Sequence, residues 1–455
     1  MSSRRDHDSQ QQNSVQKSWS PQPAGTSWIQ KQIQSFREEN STVGLVEQLL
    51  KEHSGSRLFD WVDHLILKSI DGIGEAGFLA TGEGWFEHPD ALLPAVRHGA
   101  ENRMSIRVDS VSDLAVANSH RFGIKISGQP LDLRRIATFE GSSDWTFGAI
   151  ERHGCTAATR LPQLTVDQKI MLTLVRERFR HRARQFSNEQ EAYRAVRELV
   201  EQAIADVGRD VACALFFEGE RAYWMSRNRA GRIQYMRQCA LGLGWGNHDH
   251  HTYRSSRHCF SDLISLLELL GFQCRERFYA GAEAGWGAQV LEQPVAGVVI
   301  FADVDMAPEE IANDFSHQPL LPRQQLGTIG LWCALHGEAM FQAGMHHLEC
   351  QYDFDGARAQ LEELGVKCMK PFTDFPFLRQ CFTEGERWPI RPDRIERALR
   401  NQLITEAQAQ KFLQEGAVGS HLEVLERNDG YRGFNQTGIN DIIRKTDPRF
   451  LSPTG

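Results

Sequence analysis

The sequence lacks several patterns that would assign it to a particular class of protein. No run of about 18 apolar residues occurs, so no membrane-spanning helix is predicted. The nine cysteines form no C-x-x-C pair, and an odd number fits a disulfide framework poorly. We therefore expect a cytoplasmic protein with reduced thiols. The N-terminus carries charges without the apolar segment of a secretory signal, so no such signal is expected.

Basic residues are fewer than acidic ones, 51 against 59. The formal net charge is −8 over 455 residues, and no basic stretch lies beyond the extreme N-terminus. This balance argues against nucleic acid as the main partner. Hydrophobic residues make up 41% and charged residues 24% of the chain, as in ordinary globular proteins. The length predicts two or three domains, and the sequence leaves open whether the protein forms a homo-oligomer.

Composition changes along the chain and predicts a series of segments. Residues 1–27 are polar and rich in Ser and Gln, which is typical of a disordered tail. Residues 28–160 mix strand-like and helical patterns and are predicted to form a first domain. Residues 161–240 have helical spacing and are predicted to form a helical bridge. Residues 241–455 are predicted to form a metal-binding catalytic domain. Within the bridge, a strand pair is predicted at Val211–Phe217 and Ala222–Met225.

A strand–helix–strands unit occurs twice in the second half. The copies begin with the strands His250–Arg254 and His347–Gln351, and a weaker copy or pair of copies occupies residues 58–154. In each copy of the second half a helix follows, with a polar N-cap residue and a glycine just beyond its end. The caps are Ser261 and Asp355, and the glycines are Gly271 and Gly365.

This repetition predicts the fold class. We expect an α+β protein in which tandem βαβββ modules form two half-barrel domains, joined by the helical bridge. A helical insertion is predicted at about residues 370–418. The insertion and the tail from Gly430 onward are expected to cover the site described next, as a lid.

Two histidines and a glutamate stand on separate predicted strands of the second half. They are His250, His347 and Glu423. Two imidazoles and one carboxylate are the ligands of a non-haem Fe(II) site with open positions for substrate and O₂. Arg254 and His250 point to one face of their strand, so the guanidinium is a candidate to bind a substrate carboxylate. His336, Glu338 and His421 are candidates to hydrogen-bond to the ligands.

The spacing leaves structural interpretations open. A histidine on a strand is more often a core or surface residue than a ligand, and the cluster around His250 and His347 could be an exposed loop. Glu423 could be an exposed strand residue. Arg254 could be a structural ion-pair partner.

The segments around the triad resemble a known family. Asp249–Arg254 is similar to the D-H-x-x-x-R strand of the 2-oxoadipate dioxygenase/decarboxylase (hydroxyglutarate synthase) family. Leu335–His347 is similar to its second-histidine region, where the strand has the pattern N-H-hydrophobic-T, and here His346 replaces that Asn. Leu422–Arg427 resembles the glutamate strand of this family and, more distantly, the L-E-I-I-Q-R strand of 4-hydroxyphenylpyruvate dioxygenase. Both families belong to the vicinal oxygen chelate superfamily.

The resemblance implies a function and a role for each residue. It makes His250, His347 and Glu423 the ligands of Fe(II), and Arg254 the binder of the carboxylate of a 2-oxo acid. O₂ would be the co-substrate of an oxidative decarboxylation and hydroxylation. Alternatives stay open: extradiol cleavage of a catechol, a non-oxygen divalent-metal lyase or isomerase of the same superfamily, and a non-catalytic ligand-binding protein.

The first half resembles the second with its ligands lost. The strand that contains His64 is similar to the first-ligand strand, and residues 147–154 are similar to a glutamate strand. The strand Arg103–Arg107 has no histidine, however, and Ala149 stands at one of the two glutamate positions. We therefore expect no metal there, although His64 and Glu151 could still contact a ligand.

Overall fold

Two β-sheets organise the computed structural model, which describes residues 19–141, 144–281, 284–323 and 325–435. Each sheet contains two consecutive strand units, and helices connect or cover them. The predicted α+β fold with tandem βαβββ modules is confirmed. None of the described helices is both long enough and apolar enough to cross a membrane.

Two helices begin the described part of the chain. They are α1 (Pro23–Glu39) and α2 (Ser41–Ser54). Helix α1 has a proline in its first turn, where the missing N–H costs nothing, and its Phe36 packs edge-on against a tryptophan of the first sheet. The predicted disordered tail is therefore wrong for residues 23–27. Residues 1–18 lie outside the described residues.

The first sheet is built around a pair of antiparallel strands. Its strands are β1 (Val62–Leu67), β2 (Leu79–Gly82), β3 (Trp85–Glu87), β4 (Ala95–His98), β5 (Asn102–Arg107), β6 (Ile124–Ser127), β7 (Arg134–Phe139) and β8 (Trp145–Arg152). Their order is β2-β3-β4-β1-β5-β8-β7-β6. The central strands β1 and β5 each pair in parallel with the last strand of their own unit, β4 or β8. Helix α3 (Val111–Asn118) connects β5 to β6.

Helices fill the predicted bridge. They are α4 (Val166–Arg180), α5 (Glu189–Val207), α6 (Arg209–Ser226) and α7 (Arg229–Cys239). The strand pair predicted at Val211–Phe217 and Ala222–Met225 is wrong, because both segments lie within α6. Helix α6 is buried on most of its circumference, and a helix of that kind has no polar face to give its sequence a 3.6-residue period. The domain boundaries at residues 160 and 240 stay predictions.

The second sheet repeats the first. Its strands are β9 (His248–Arg254), β10 (Gln273–Tyr279), β11 (Trp286–Gln293), β12 (Val298–Asp305), β13 (His347–Gln351), β14 (Thr373–Phe375), β15 (Leu378–Phe382), β16 (Glu386–Trp388) and β17 (Ala417–Arg427). Their order is β10-β11-β12-β9-β13-β17-β15-β14, with β16 paired to β17. The accompanying helices are α8 (Phe260–Leu269), α9 (Thr328–His336), α10 (Phe354–Glu363), α11 (Pro392–Arg400) and α12 (Glu406–Glu415). As in the first sheet, the first strands of the two units are antiparallel neighbours at the centre.

The ends of helices α8 and α10 were predicted better than their beginnings. Gly271 and Gly365 follow the helices with φ of 95° and 71°, the left-handed conformation that glycine adopts without strain. The predicted N-caps are wrong, because Ser261 and Asp355 lie inside the helices. The cap of α10 is Asp353, whose side chain accepts a hydrogen bond from a backbone N–H in the first turn.

The predicted helical insertion at residues 370–418 is wrong in its extent. Strands β14 and β15 fall within this range and belong to the second sheet, next to β17. Only α11 and α12, between β16 and β17, are helical. Their apolar residues pack with α9 in a small core of their own.

A buried ion cluster holds α6 in place. Glu220 Oε1 accepts hydrogen bonds from Arg182 Nη2 (2.8 Å) and Arg184 Nη2 (2.7 Å). The Glu220 and Arg182 side chains are only 1% exposed. Removing one member of such a cluster leaves the remaining charges buried without their partner.

We expect Glu220→Ala to lower the free energy of unfolding by about 3–5 kcal/mol, because both guanidinium groups lose their carboxylate. Urea denaturation measures the change. Glu201→Ala on α5 is the control, since Glu201 is 53% exposed and its ion pair with Arg197 spans 3.9 Å. A surface change of this kind is expected to cost about 0.5 kcal/mol or less. Equal effects of the two variants would contradict the role given to the cluster.

Candidate metal centre

Cross-strand register places a histidine and two glutamates in one row. Glu349 on β13 lies opposite His250 on the antiparallel strand β9, and opposite Glu423 on the parallel strand β17. His347 precedes Glu349 by two residues, so both side chains point to the same face of β13. These four residues, the metal cluster, therefore converge on one face of the second sheet.

The ligand atoms of the cluster lie within reach of one another. His347 Nε2 is 2.8 Å from Glu349 Oε1 and 3.5 Å from Glu423 Oε2, and His250 Nε2 contacts Glu349 Oε2. His250, His347 and Glu349 each offer one ligand atom, and these three atoms lie within 4.8 Å of one another. The four side chains are 1–9% exposed, so their charges are almost fully removed from water.

The electrostatics of the cluster fit a divalent cation. Burial and the neighbouring charge of Glu423 raise the pKa of Glu349 well above its ordinary range. Burial also raises the pKa of Glu423 to about 8, against the lowering effect of hydrogen bonds. Burial lowers the pKa of His250 to about 4, so its imidazole is neutral and can act as a ligand. A bound cation would stabilise both carboxylates and accept both imidazole lone pairs.

His250 is held by a carboxylate that is itself held by an arginine. The Nδ1–H of His250 donates to Asp249 Oδ1 (2.8 Å), which leaves Nε2 facing the cluster. Arg427 donates to both oxygens of Asp249, at 2.7 and 2.9 Å. Although burial acts to raise it, Arg427 and His250 hold the pKa of Asp249 well below its ordinary range. Such carboxylate–histidine pairs orient metal ligands and increase their basicity.

A cavity of about 80 Å³ opens onto the metal cluster. Arg254 and Asp303 are in register on neighbouring strands and both line this pocket. Gln380 also lines it and donates from Nε2 to Glu423 Oε1 (2.9 Å). The remaining wall is mostly aromatic. The aromatic residues are Phe278, Trp286, Phe301, Phe372, Phe382 and Phe434.

The segments expected to cover the site contribute to this wall. Phe372 and Phe382 come from the range of the predicted insertion, and Phe434 and Asn435 come from the predicted tail. The Phe434 ring lies 5.0 Å from the His250 ring and 4.3 Å from the Phe301 ring, between centroids. The tail beyond Asn435 lies outside the described residues.

The structure brings the predicted ligands and Arg254 into one pocket, but it places the predicted supporting residues elsewhere. His336 donates from Nε2 to Val418 O (3.0 Å), and His421 donates from Nδ1 to Thr383 O (2.9 Å). Glu338 accepts hydrogen bonds from the Ser255 hydroxyl (2.9 Å) and from the Ser256 backbone N–H (3.2 Å). None of these three residues is among the described residues that line the pocket.

Sequence reasoning missed Glu349, Asp249 and Gln380. Glu349 stands two residues after His347, a spacing that places two side chains on one face of a strand, so its signal was present. It also occupies the Thr position of the N-H-hydrophobic-T pattern. Asp249 lay inside the D-H-x-x-x-R motif without an assigned role. Gln380 gives no sequence signal, because only the pairing of β15 with β17 brings it to Glu423.

The first half keeps the counterpart of His250 and its supporting residues, but it lacks the two glutamates. Asp63 accepts from His64 Nδ1 (2.9 Å) and from Arg152 Nε (2.7 Å), as Asp249 does from His250 and Arg427. In the first sheet, Ser105 lies opposite His64 and Gly148 lies opposite Ser105, at the positions that Glu349 and Glu423 occupy in the second sheet. By the register, Gly148 rather than Ala149 is therefore the counterpart of Glu423. Glu151 points to the other face and bonds to Arg135.

Comparisons with known proteins give only distant similarities. No protein-family model and no curated protein matches the chain. A mutant of 4-hydroxymandelate synthase from Streptomyces coelicolor is 13% identical, with 86% of this chain and 99% of that chain covered and a TM-score of 0.29. Methylmalonyl-CoA epimerase from Mycobacterium tuberculosis is 14% identical, with coverage of 40% and 89% and a TM-score of 0.23. A Mn(II)-bound glyoxalase from Novosphingobium aromaticivorans is 8% identical, with coverage of 81% and 82% and a TM-score of 0.19. At these TM-scores no activity carries over to this chain, and its family stays a prediction.

We expect Asp249→Asn to weaken the binding of Zn²⁺ or Co²⁺ about 10–100-fold, because His250 loses the charged group that orients it. Titration of the purified protein with either metal measures the change. Asp63→Asn is the matched control, since Asp63 pairs with the corresponding histidine and arginine of the first half. Equal losses in both variants would indicate general destabilisation and contradict the role of Asp249.

Metal affinity is expected to rise with pH up to about 8. Below this value Glu423 carries a proton that the metal must displace, since its pKa is about 8. His250, with a pKa of about 4, is already neutral at pH 6 and adds no dependence. If Glu423 is the carboxylate ligand, the dissociation constant should therefore fall up to about tenfold per pH unit and then level off. If Glu349 also ligates the metal, the fall continues above this pH, because the pKa of Glu349 is raised as well. Calorimetric Zn²⁺ titrations in buffers of different ionisation enthalpy count the protons released. A Zn²⁺ affinity that does not change with pH, without proton release, would contradict this prediction.

Proposed function

We propose that this protein is an Fe(II)-dependent dioxygenase that acts on a 2-oxo acid by oxidative decarboxylation and hydroxylation. The observation that carries the proposal is a buried cluster of two imidazoles and carboxylates at the base of a small aromatic pocket with an arginine in its wall. In this proposal His250, His347 and Glu423 hold the metal. Fe(II) bound there would supply the O₂ chemistry that oxidative decarboxylation requires.

Arg254 is proposed to bind the carboxylate of the substrate. It shares the pocket wall with Asp303. Burial raises the pKa of Asp303 to about 8, although the charge of Arg254 acts to lower it. At neutral pH Asp303 is thus largely protonated and does not cancel the charge of Arg254. A guanidinium in a nearly dry pocket binds a carboxylate strongly and with fixed orientation.

The rest of the pocket is suited to a compact substrate with an apolar part. Its volume is about 80 Å³, and most of its wall is aromatic. Such a wall excludes water from the reacting atoms, which protects reactive species from side reactions. Gln380 and Asp249 would keep Glu423 and His250 in place while the substrate binds.

Glu349 favours a second candidate function. If its carboxylate also ligates the metal, four protein ligands leave two octahedral positions, which a bidentate substrate fills without room for O₂. The protein would then be a divalent-metal lyase or isomerase. In the dioxygenase, by contrast, Glu349 stays protonated and hydrogen-bonds to Glu423.

The test is O₂ consumption by protein reconstituted with Fe(II) without air, against 2-oxo acids that include 2-oxoadipate and 4-hydroxyphenylpyruvate. We expect O₂ uptake with matching CO₂ release, and loss of both in His347→Ala because the variant lacks a ligand. Arg254→Lys should keep its iron and raise the KM, since lysine cannot form the paired hydrogen bonds. Iron-loaded protein that consumes no O₂ with any substrate would refute the dioxygenase.

Two glutamine variants separate the candidate functions. In the dioxygenase, Glu349→Gln keeps iron and O₂ uptake, whereas Glu423→Gln loses both. If both glutamates ligate the metal, each variant weakens metal binding. Metal content per chain and the O₂ uptake rate distinguish these outcomes, with Glu384→Gln, outside the described pocket wall, as the control.

A further inference from the structure

A second cavity, of about 400 Å³, lies between the first sheet, helices α4 and α6, and the turn between β11 and β12. Its size falls within the range of small-molecule binding sites. We call it the arginine cavity, after the side chains in its wall. These are Arg107, Arg135, Arg152, Arg176, Arg180 and Arg221.

The arginine cavity is separate from the metal pocket. His251 follows His250 on β9, so the two side chains point to opposite faces of the strand. Arg221, which lines the cavity, places Nη1 3.4 Å from His251 Nε2. Among the described residues, the two cavities have no wall residue in common. The cavity therefore lies behind the strand that carries the first metal ligand.

Most arginines of the cavity are neutralised by carboxylates. The ion pairs are Arg135–Glu151 (3.3 Å), Arg152–Asp63 (2.7 Å), Arg176–Glu218 (3.1 Å) and Arg180–Glu218 (3.3 Å). Asp109, a further acidic residue of the wall, accepts a hydrogen bond from Trp245 N (2.8 Å). Most acidic residues of the wall are thus engaged by partners other than Arg107 and Arg221.

Arg107 and Arg221 differ from the other four. Within the part of the chain that the structure describes, neither has a carboxylate oxygen within 4.0 Å. Arg107 donates from Nη2 to Ala296 O (3.3 Å), and Arg221 contacts His251. A guanidinium carries five N–H groups, so each of these side chains retains donors for a ligand.

Positive charge is concentrated at this end of the cavity. A Cβ added to Gly297 would lie 2.9 Å from Arg107 Nη1 and 3.6 Å from Arg152 Nη2, so both guanidinium groups converge on this turn. Burial, with the charges of Arg152 and Arg221, lowers the pKa of Arg107 to about 9, although the more distant carboxylates of Asp63 and Asp109 act to raise it. Like charges held together in a half-buried wall are costly unless an anion compensates them.

We propose that the arginine cavity binds a small organic anion that carries a phosphate group or two carboxylate groups, held by Arg107 and Arg221. Arginine forks match the paired oxygens of both groups. The ligand can enter beside α4, where the Arg180 side chain is 45% exposed. The proposal is independent of the reaction at the metal centre.

The test is calorimetric titration of the full chain with inorganic phosphate and, separately, with succinate. We expect saturable binding of at least one probe with a dissociation constant below about 1 mM, and the probe that binds identifies the anionic group. Arg107→Gln and Arg221→Gln should each weaken this binding at least tenfold. Arg178→Gln on α4 is the control, because Arg178 lies outside the wall and pairs with Asp206 (2.9 Å).

Further variants distinguish binding in the arginine cavity from binding at the metal centre and from loss of folding. His347→Ala should bind the probe as the parent protein does, because the metal pocket is a different site. Arg107→Lys and Arg221→Lys keep the positive charge and replace any glutamine variant that does not fold. They are expected to weaken binding, because lysine cannot form the paired hydrogen bonds of a guanidinium. The proposal is overturned by absence of saturable binding, by unchanged binding in the arginine variants, or by loss of binding in His347→Ala.

Discussion

The burial of two carboxyl groups side by side is the constraint on which the metal centre depends. Glu349 and Glu423 are neighbours across two strands at the middle of a sheet, where water cannot screen them. Without a cation, burial favours the protonated form of both groups. The surrounding residues prevent the cluster from rearranging to relieve this cost. Gln380 holds Glu423 from β15, and the arginine–aspartate pair behind His250 joins β9 to β17.

The repeated modules could be predicted because their signals are local. Gly271 and Gly365 stop two helices in a conformation that other residues adopt with strain, and each helix follows a strand with a histidine. Helix α6 could not be recognised in this way. Its apolar residues cover most of its surface because the sheets and the other bridge helices surround it, and that environment is a property of the tertiary structure.

The sequence predicts residues of the site only where their spacing along a single strand places them on one face. His250 and Arg254 share a face of β9, as the spacing indicates, and both line the pocket. Which residues stand opposite them depends on register, which a single sequence does not state. Glu349 reaches the centre of the cluster for that reason, whereas Glu338, close to His347 in sequence, fixes the end of β9 through Ser255. Residues near a ligand along the chain are therefore poor guides to its hydrogen-bond partners.

The packing of Phe434 against His250 and Phe301 bears on how the site is loaded. In chain order, the ligands emerge from the ribosome on β9, then β13, then β17, and Phe434 comes after all of them. Until that phenylalanine docks, the aromatic wall has a gap beside the first ligand. Because Phe434 lies after β17 and outside both sheets, this part of the wall is held by side-chain packing and not by strand pairing, so its displacement would open the wall without disturbing the strands that carry the ligands.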